Sequence, residues 1–237
     1  NIYITSCTRS TNFPTSSGSH QPGWVSGYEG IVSSLSSDLS TLLWSTYVGG
    51  GGADAGYSIR VNETNKMVAV CGGTRSDDIG ATLGTINYTR PGGTDGFVAT
   101  FNKSTGALNA MTYIGTSSYD QAYILEIDND NNIYVTGQTK GNYPVTPGVY
   151  SNTNANQFIH KLNSSLTTTD FSTVFGSGSS NNQVDISISA FLVDTCDNIY
   201  VAGWGGTTNN EGSTNNMPLT PSTAIQTSTD GSDFYFI

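Results

Sequence analysis

Asn132-Ile133-Tyr134-Val135-Thr136-Gly137 and Asn198-Ile199-Tyr200-Val201-Ala202-Gly203 are two copies of one phrase. Asn1-Ile2-Tyr3-Ile4-Thr5 and Lys66-Met67-Val68-Ala69-Val70 are two more, so from Ile2 onward the phrase returns in steps of 65, 66 and 66 residues. A fixed period of this length marks a repeat architecture, in which one supersecondary unit is copied along the chain. Each copy is short, β-branched or aromatic, and bounded by Gly, Asn or Asp, which is the signature of a strand.

Three other runs keep the same period. One reads Gly30-Ile31-Val32, Gly96 to Asn102, Gln157 to Asn163 and Phe234-Tyr235-Phe236. Another reads Ser45 to Gly49, Met111 to Gly115 and Ser172 to Gly176, and the last reads Gly56 to Val61, Ala122 to Ile127 and Ile186 to Val193. Between this last family and the opening phrase lie Asn62 to Asn65, Asp128 to Asn131 and Asp194 to Asp197. Their side chains accept backbone N–H bonds and tolerate left-handed geometry, so each is read as a tight hairpin turn.

Four antiparallel strands per unit, none able to bury both faces alone, predict an all-β protein in which sheets stack face to face around an axis as a β-propeller. A β-solenoid is the second choice. The units run approximately 1–50, 51–116, 117–177 and 178–237, the outer two partial, and 237 divided by 66 gives about 3.6 blades with 14 strands. Either the ends complete a four-bladed ring or the segment belongs to a longer propeller. The second is favoured, because Phe234-Tyr235-Phe236-Ile237 would leave an apolar strand edge open.

Composition agrees. Charged residues are 11% and hydrophobic residues 35%, while 32 Thr, 30 Ser, 22 Asn and 28 Gly make 112 of the 237 residues. That mixture lacks the helix formers and is rich in turn formers, which excludes a helical protein. Thirteen Tyr, nine Phe and three Trp set in short apolar runs argue against disorder. Eighteen acidic against eight basic residues give a charge of −10 with scattered cations, the opposite of a nucleic-acid footprint. No apolar run is long enough to span a bilayer as a helix. Cys7, Cys71 and Cys196 form neither a metal motif nor an even set.

Candidate chemistry is sparse. His20 and His160 stand far apart, and no nucleophile, base and orienter assemble from local motifs. Asp54, Asp120 and Asp185 recur once per unit, as do Glu29, Asp95, Asn156 and Asp233. A catalytic pair is needed once, whereas a turn-closing acceptor is needed in every blade, so both sets are read as structural. The alternating oxygens of Asp128, Asp130 and Asn132 form the best Ca²⁺ candidate, although the loop lacks the glycine and distal glutamate of an EF-hand. No other cofactor is expected. Trp24 and Trp204 do not repeat, unlike Tyr3, Tyr134 and Tyr200, and are candidate sugar-stacking residues. Trp204 precedes a Gly-, Thr- and Asn-rich insertion from Gly205 to Asn216, so Asn209 and Asn210 join the candidate ligand-binding set.

Taken together, Tyr47-Val48-Gly49-Gly50, Gly56 to Ile59, Asn132 to Gly137, Pro144 to Pro147 and Gly93 to Ala99 resemble the SBBP β-propeller repeat. The last unit is similar to the propeller regions of very large Bacteroidota surface proteins, which also carry PKD domains and a gliding-motility-associated C-terminal sorting domain. The second unit departs from the pattern: Cys71-Gly72-Gly73 replaces Thr-Gly, and its proline loop is absent. The resemblance implies export by type IX secretion, an extracellular, outer-membrane-associated location at the cell surface, and a non-enzymatic structural or adhesive role. Implied partners are other surface proteins, glycans or further domains of the same chain, without nucleic acid or membrane insertion. The alternative is a carbohydrate-active hydrolytic or lyase propeller, which would need convergent carboxylates at the axis.

Overall fold

The computed structural model describes residues 1–179, 184–205, 212–220 and 222–237. Among these residues there is no helix. The strands are β1 (Ile2–Thr8), β2 (Glu29–Leu35), β3 (Leu42–Val48), β4 (Asp54–Asn62), β5 (Met67–Thr74), β6 (Asp95–Asn102), β7 (Leu108–Ile114), β8 (Asp120–Ile127), β9 (Ile133–Thr139), β10 (Gln157–Leu162), β11 (Thr169–Phe175), β12 (Ser187–Val193), β13 (Ile199–Trp204) and β14 (Phe234–Phe236). They form four sheets: β1-β2-β3, β4-β5-β6-β7, β8-β9-β10-β11 and β12-β13-β14, each ordered as in the chain. Neighbouring strands are antiparallel throughout.

The opening phrase of the sequence is the second strand of a full sheet, and its alternation explains the stacking. In β5, Val68 and Val70 pack toward the first sheet with Val32, Trp44 and Val48. Met67, Ala69 and Cys71 point the other way and pack on Leu125, Val135 and Phe158 of the third sheet. Tyr134, next to Ile133 and Val135, turns to the fourth sheet, where it meets Ile186, Phe191 and Val201. Central strands buried on both faces therefore make one apolar layer between each pair of consecutive sheets, the arrangement that face-to-face stacking requires.

The sheets approach most closely at their first strands: β4 lies against β1, β8 against β4 and β5, and β12 against β8. This shared inner edge is the axis of the stack, and the sheets form a β-propeller fold of at least partial turn. Extensive contact links only consecutive sheets among the described residues. Beyond the apolar layers, Arg60 of β4 donates from Nε and Nη2 to Glu126 of β8 at 2.9 and 2.7 Å. Trp44 donates from Nε1 to the Lys103 carbonyl at 2.7 Å.

Two irregularities repeat with the fold. The inner strand bulges between Gly56 and Ser58, between Ala122 and Ile124, and between Ile188 and Ala190. The extra residues are Tyr57, Tyr123 and Ser189. Opposite each bulge stands a glycine: a Cβ on Gly72 or Gly137 would lie 1.9 Å from the Ala55 or Gln121 carbonyl oxygen. A second bulge separates the third and fourth strands, at Ser34/Leu35, Thr100/Phe101 and Lys161/Leu162. Bulges raise local twist, which lets each sheet fan out from the axis.

The tight turns behave as their composition predicts. Asn131 and Asp197, at equivalent positions, adopt φ of 72° and 63°, and in the second unit the left-handed residue is Lys66, one position later, at 52°. All three cysteines are free thiols.

Candidate functional site

The long connection from second to third strand is the part of each unit that varies, and its path is repeated even where its sequence is not. It runs back along the outer edge of the fourth strand. Ser16 donates its N–H to the Ser45 carbonyl at 2.9 Å and Gln21 accepts from Tyr47 N at 3.0 Å. In the second unit Thr82 N reaches Met111 O at 2.8 Å and Tyr113 N reaches Asn87 O at 3.1 Å, and in the third Thr146 N and Asn152 N reach Ser172 O and Val174 O. The outermost strand of a sheet otherwise presents unpaired backbone groups, so these connections cap the edge. Tyr47 and Tyr113 reinforce them, donating their hydroxyls to the Ser10 and Ser76 carbonyls at 2.7 and 2.8 Å.

Held in this way, the first three connections display large apolar side chains to solvent: Trp24 and Tyr28 in the first, Leu83 and Tyr88 in the second, and Val145 and Tyr150 in the third; the described part of the fourth exposes Leu219 and Ile225. The third also borders a polar cavity of about 730 Å³, walled by residues 115–118, 140–145 and 151–156. Beneath it Tyr143 stacks on Phe158 at 4.3 Å and bonds to His160 Nδ1 at 2.8 Å.

The two tryptophans expected to bind ligand are on different sheets. Trp24 sits on the first connection, with Nε1 3.4 Å from the Gly27 carbonyl. Trp204 ends β13 opposite Phe234 and, two and four residues along, shares the face of Ala202 and Tyr200. That face carries the Tyr200 and Phe236 stack and looks away from the third sheet, so Trp204 belongs to an apolar end face of the fourth sheet. Asn209 and Asn210 lie outside the described residues. Tyr134 is buried in the core, while Tyr3 is half-buried against Trp44.

Asp128, Asp130 and Asn132 form a closed Asx turn. Asp128 Oδ1 accepts the N–H groups of Asp130 and Asn132 at 2.9 and 2.8 Å, and Oδ2 accepts Asn132 Nδ2 at 2.9 Å. The Lys161 ammonium lies 3.1 Å from Oδ2. Burial opposes ionisation of Asp128, but the bonds from Asn132 and Lys161 prevail and hold its carboxyl below the ordinary value. Asp194 repeats the closure on Cys196 and Asn198 without a lysine. Among the described residues no three His, Cys, Asp or Glu side chains converge as a metal set.

The periodic carboxylates open the strands themselves: Asp54 and Asp120 are first in β4 and β8, Glu29 and Asp95 first in β2 and β6. Asp54 accepts Gly50 N and Ser76 Oγ, Asp120 accepts Thr116 N and Oγ1, and Asp185 accepts Ser177 N and Oγ. Each closes the link into its sheet. Across a glycine from each stands a second polar group: Glu29 near Gly49, Asp95 near Gly115 and Gln157 near Gly176. Burial pushes the Asp95 carboxyl up to about 7, with the Asp120 charge adding to it against a bond from Gly92 N–H. Burial likewise raises Glu29. Glu29, Asp95 and Asp120 are fully buried. Sequence periodicity identified Asp54, Asp120, Asp185, Glu29 and Asp95, but in the third unit Gln157, first in β10, takes the place expected of Asn156, because the strand begins one residue later; the pairing across a glycine was invisible, because the partners come from different sheets.

The SBBP β-propeller repeat family matches residues 111–144, which run from β7 through β9 into the third connection. No curated protein is similar enough to the chain to match.

Proposed function

We propose that the chain is a non-enzymatic structural and adhesive module of a large secreted bacterial surface protein, engaging partner proteins or glycans through the connections between second and third strands. The observation that carries this reading is the display on those connections: the first three are stitched to a sheet edge and yet expose large apolar or aromatic side chains, such as Trp24, Leu83 and Tyr150. Exposed rings on a rigid backbone bind at little entropic cost, and function concentrates on loops held by a scaffold. The burial of the repeated carboxylates supports a non-enzymatic role, since two-carboxylate hydrolysis needs both groups at the substrate. The resemblance of the repeats to Bacteroidota surface propellers supports export by type IX secretion and a place at the cell surface.

The test is binding of the purified chain to glycan arrays and to intact bacterial surfaces. Trp24→Ala combined with Tyr150→Ala is expected to weaken capture by roughly thirtyfold, each aromatic contributing on the order of 1 kcal/mol. A parent chain that binds neither glycans nor cells overturns adhesion and leaves a spacing role. Turnover of a polysaccharide would overturn the non-enzymatic reading.

A further inference from the structure

The eight basic residues are distributed unevenly between paired and unpaired states. Arg60, Arg90, Lys103 and Lys161 each form an ion pair with a carboxylate. Among the described residues, Arg9, Lys66, Arg75 and Lys140 form none, and all four are exposed. Lys66 lies in a hairpin turn, whereas Arg9, Arg75 and Lys140 are equivalent: each follows the threonine that ends the strand of the repeated phrase, after Thr8, Thr74 and Thr139. Three consecutive sheets therefore present one uncompensated cation each at the same level, in a chain whose net charge is −10.

These cations are held around a single cleft of about 300 Å³ that spans the first three sheets at one end of the axis. Arg75 lines it, with Nε bonded to Thr94 Oγ1 at 3.0 Å. Arg9 lies over the Tyr28 ring at 5.1 Å and Lys140 over the Tyr119 ring at 5.5 Å, and both rings line the cleft. The third ring, Tyr57, is the bulge residue of β4; it is half-exposed, and its hydroxyl accepts from Gln121 Nε2 at 3.3 Å. The bulge thus turns a ring into the cleft that a regular strand would have turned into the sheet. The one carboxylate in the wall, Asp54, is buried and engaged by Gly50, Thr74 and Ser76.

We propose that this cleft binds an acidic oligosaccharide, one bearing carboxylate or sulfate groups. The unpaired cations supply charge-assisted hydrogen bonds to the anionic groups, and the tyrosine faces supply stacking for pyranose C–H surfaces. No aliphatic side chain larger than alanine lines the cleft, whose walls are flat tyrosine rings that suit the C–H face of a pyranose; an acidic peptide is the alternative occupant that the test distinguishes. The volume suits one or two sugar rings, at the lower end of ordinary ligand sites. The cleft shares Tyr28 with the first connection but is distinguished from it by its cations: a chain that adheres only through Trp24 and its counterparts passes the earlier test and fails this one.

Titration calorimetry of the whole chain with oligogalacturonate, sulfated dextran, neutral dextran and poly-glutamate of matched length tests the proposal. Oligogalacturonate or sulfated dextran is expected to bind at least roughly tenfold more tightly than neutral dextran or poly-glutamate. The triple variant Arg9→Gln, Arg75→Gln, Lys140→Gln is expected to lose roughly tenfold, about two- to threefold for each exposed charge. Lys66→Gln, which removes one cation outside the cleft, is expected to bind as the parent does. Cys7 lines the cleft and is an exposed free thiol, so in a Cys196→Ser background its maleimide labelling is expected to slow when the saccharide saturates. Absence of binding to both acidic saccharides at millimolar concentration, parental affinity in the triple variant, or equal affinity for poly-glutamate overturns the assignment.

Discussion

Asp95→Asn tests the junction between the second and third sheets. The Asp95 side chain is fully buried, and its Oδ1 has no hydrogen-bond partner while Oδ2 accepts Gly92 N–H at 3.0 Å. Arg90 Nη1 stands 3.9 Å from Oδ2, too far to offset burial and the neighbouring Asp120. In the unfolded chain the carboxyl ionises near 3.8, whereas in the folded chain it keeps its proton up to about 7. Because the folded-state value is raised, the stabilisation is complete below about pH 4 and is lost as pH rises through 7. At about 1.36 kcal/mol per pH unit the whole interval is worth about 4 kcal/mol, and the part between pH 5 and 7 about 2.5 kcal/mol. Asparagine keeps an acceptor for Gly92 and cannot ionise. Urea unfolding of parent and variant at pH 5 and pH 8 isolates the effect, since all other titrating groups are common to both. The parent is expected to lose about 2.5 kcal/mol more than the variant on going from pH 5 to pH 8. Equal losses in the two proteins would refute the buried, proton-holding carboxyl.

Three further outcomes follow from the same geometry. Burial between Tyr143 and Thr169 holds His160 neutral and lowers its imidazole to about 4, so its stabilisation is present above pH 6.5 and is lost as pH falls toward 4, by about 3 kcal/mol. An NMR titration is expected to leave the His160 ring signals unmoved down to about pH 5. Gly137→Ala drives a Cβ into the backbone of β8 and is expected to cost roughly 1–3 kcal/mol in thermal unfolding, whereas Gly93→Ala, with open space around it, is expected to be near neutral. Chelation of divalent ions is expected to leave the melting temperature unchanged, because Lys161 and the turn N–H groups already satisfy Asp128; a calcium-dependent rise would contradict that closure.

By itself the sequence determined the repeat, the strand count and the turn chemistry. These depend on local information: a β-branched run such as Ile133 to Thr136, an Asx turn such as Asp128 to Asn131, and a period near 66 residues place every strand before any contact is known. It also singled out Asp54, Asp120 and Asp185 as structural, because periodicity is visible without coordinates. Only the tertiary structure decided what each side chain faces. Val68 and Ala69 are equally apolar neighbours, yet they serve cores on opposite sides of one sheet. Trp204 reads as a loop-flanking aromatic and proves to belong to a sheet face. Arg9, Arg75 and Lys140 are scattered singly along the chain, and stacking the sheets sets them at one level around one cleft. The reason is that strand formation follows from neighbours a few residues away, whereas a site shared by several sheets is built from residues about 66 apart, whose meeting depends on how the sheets stack.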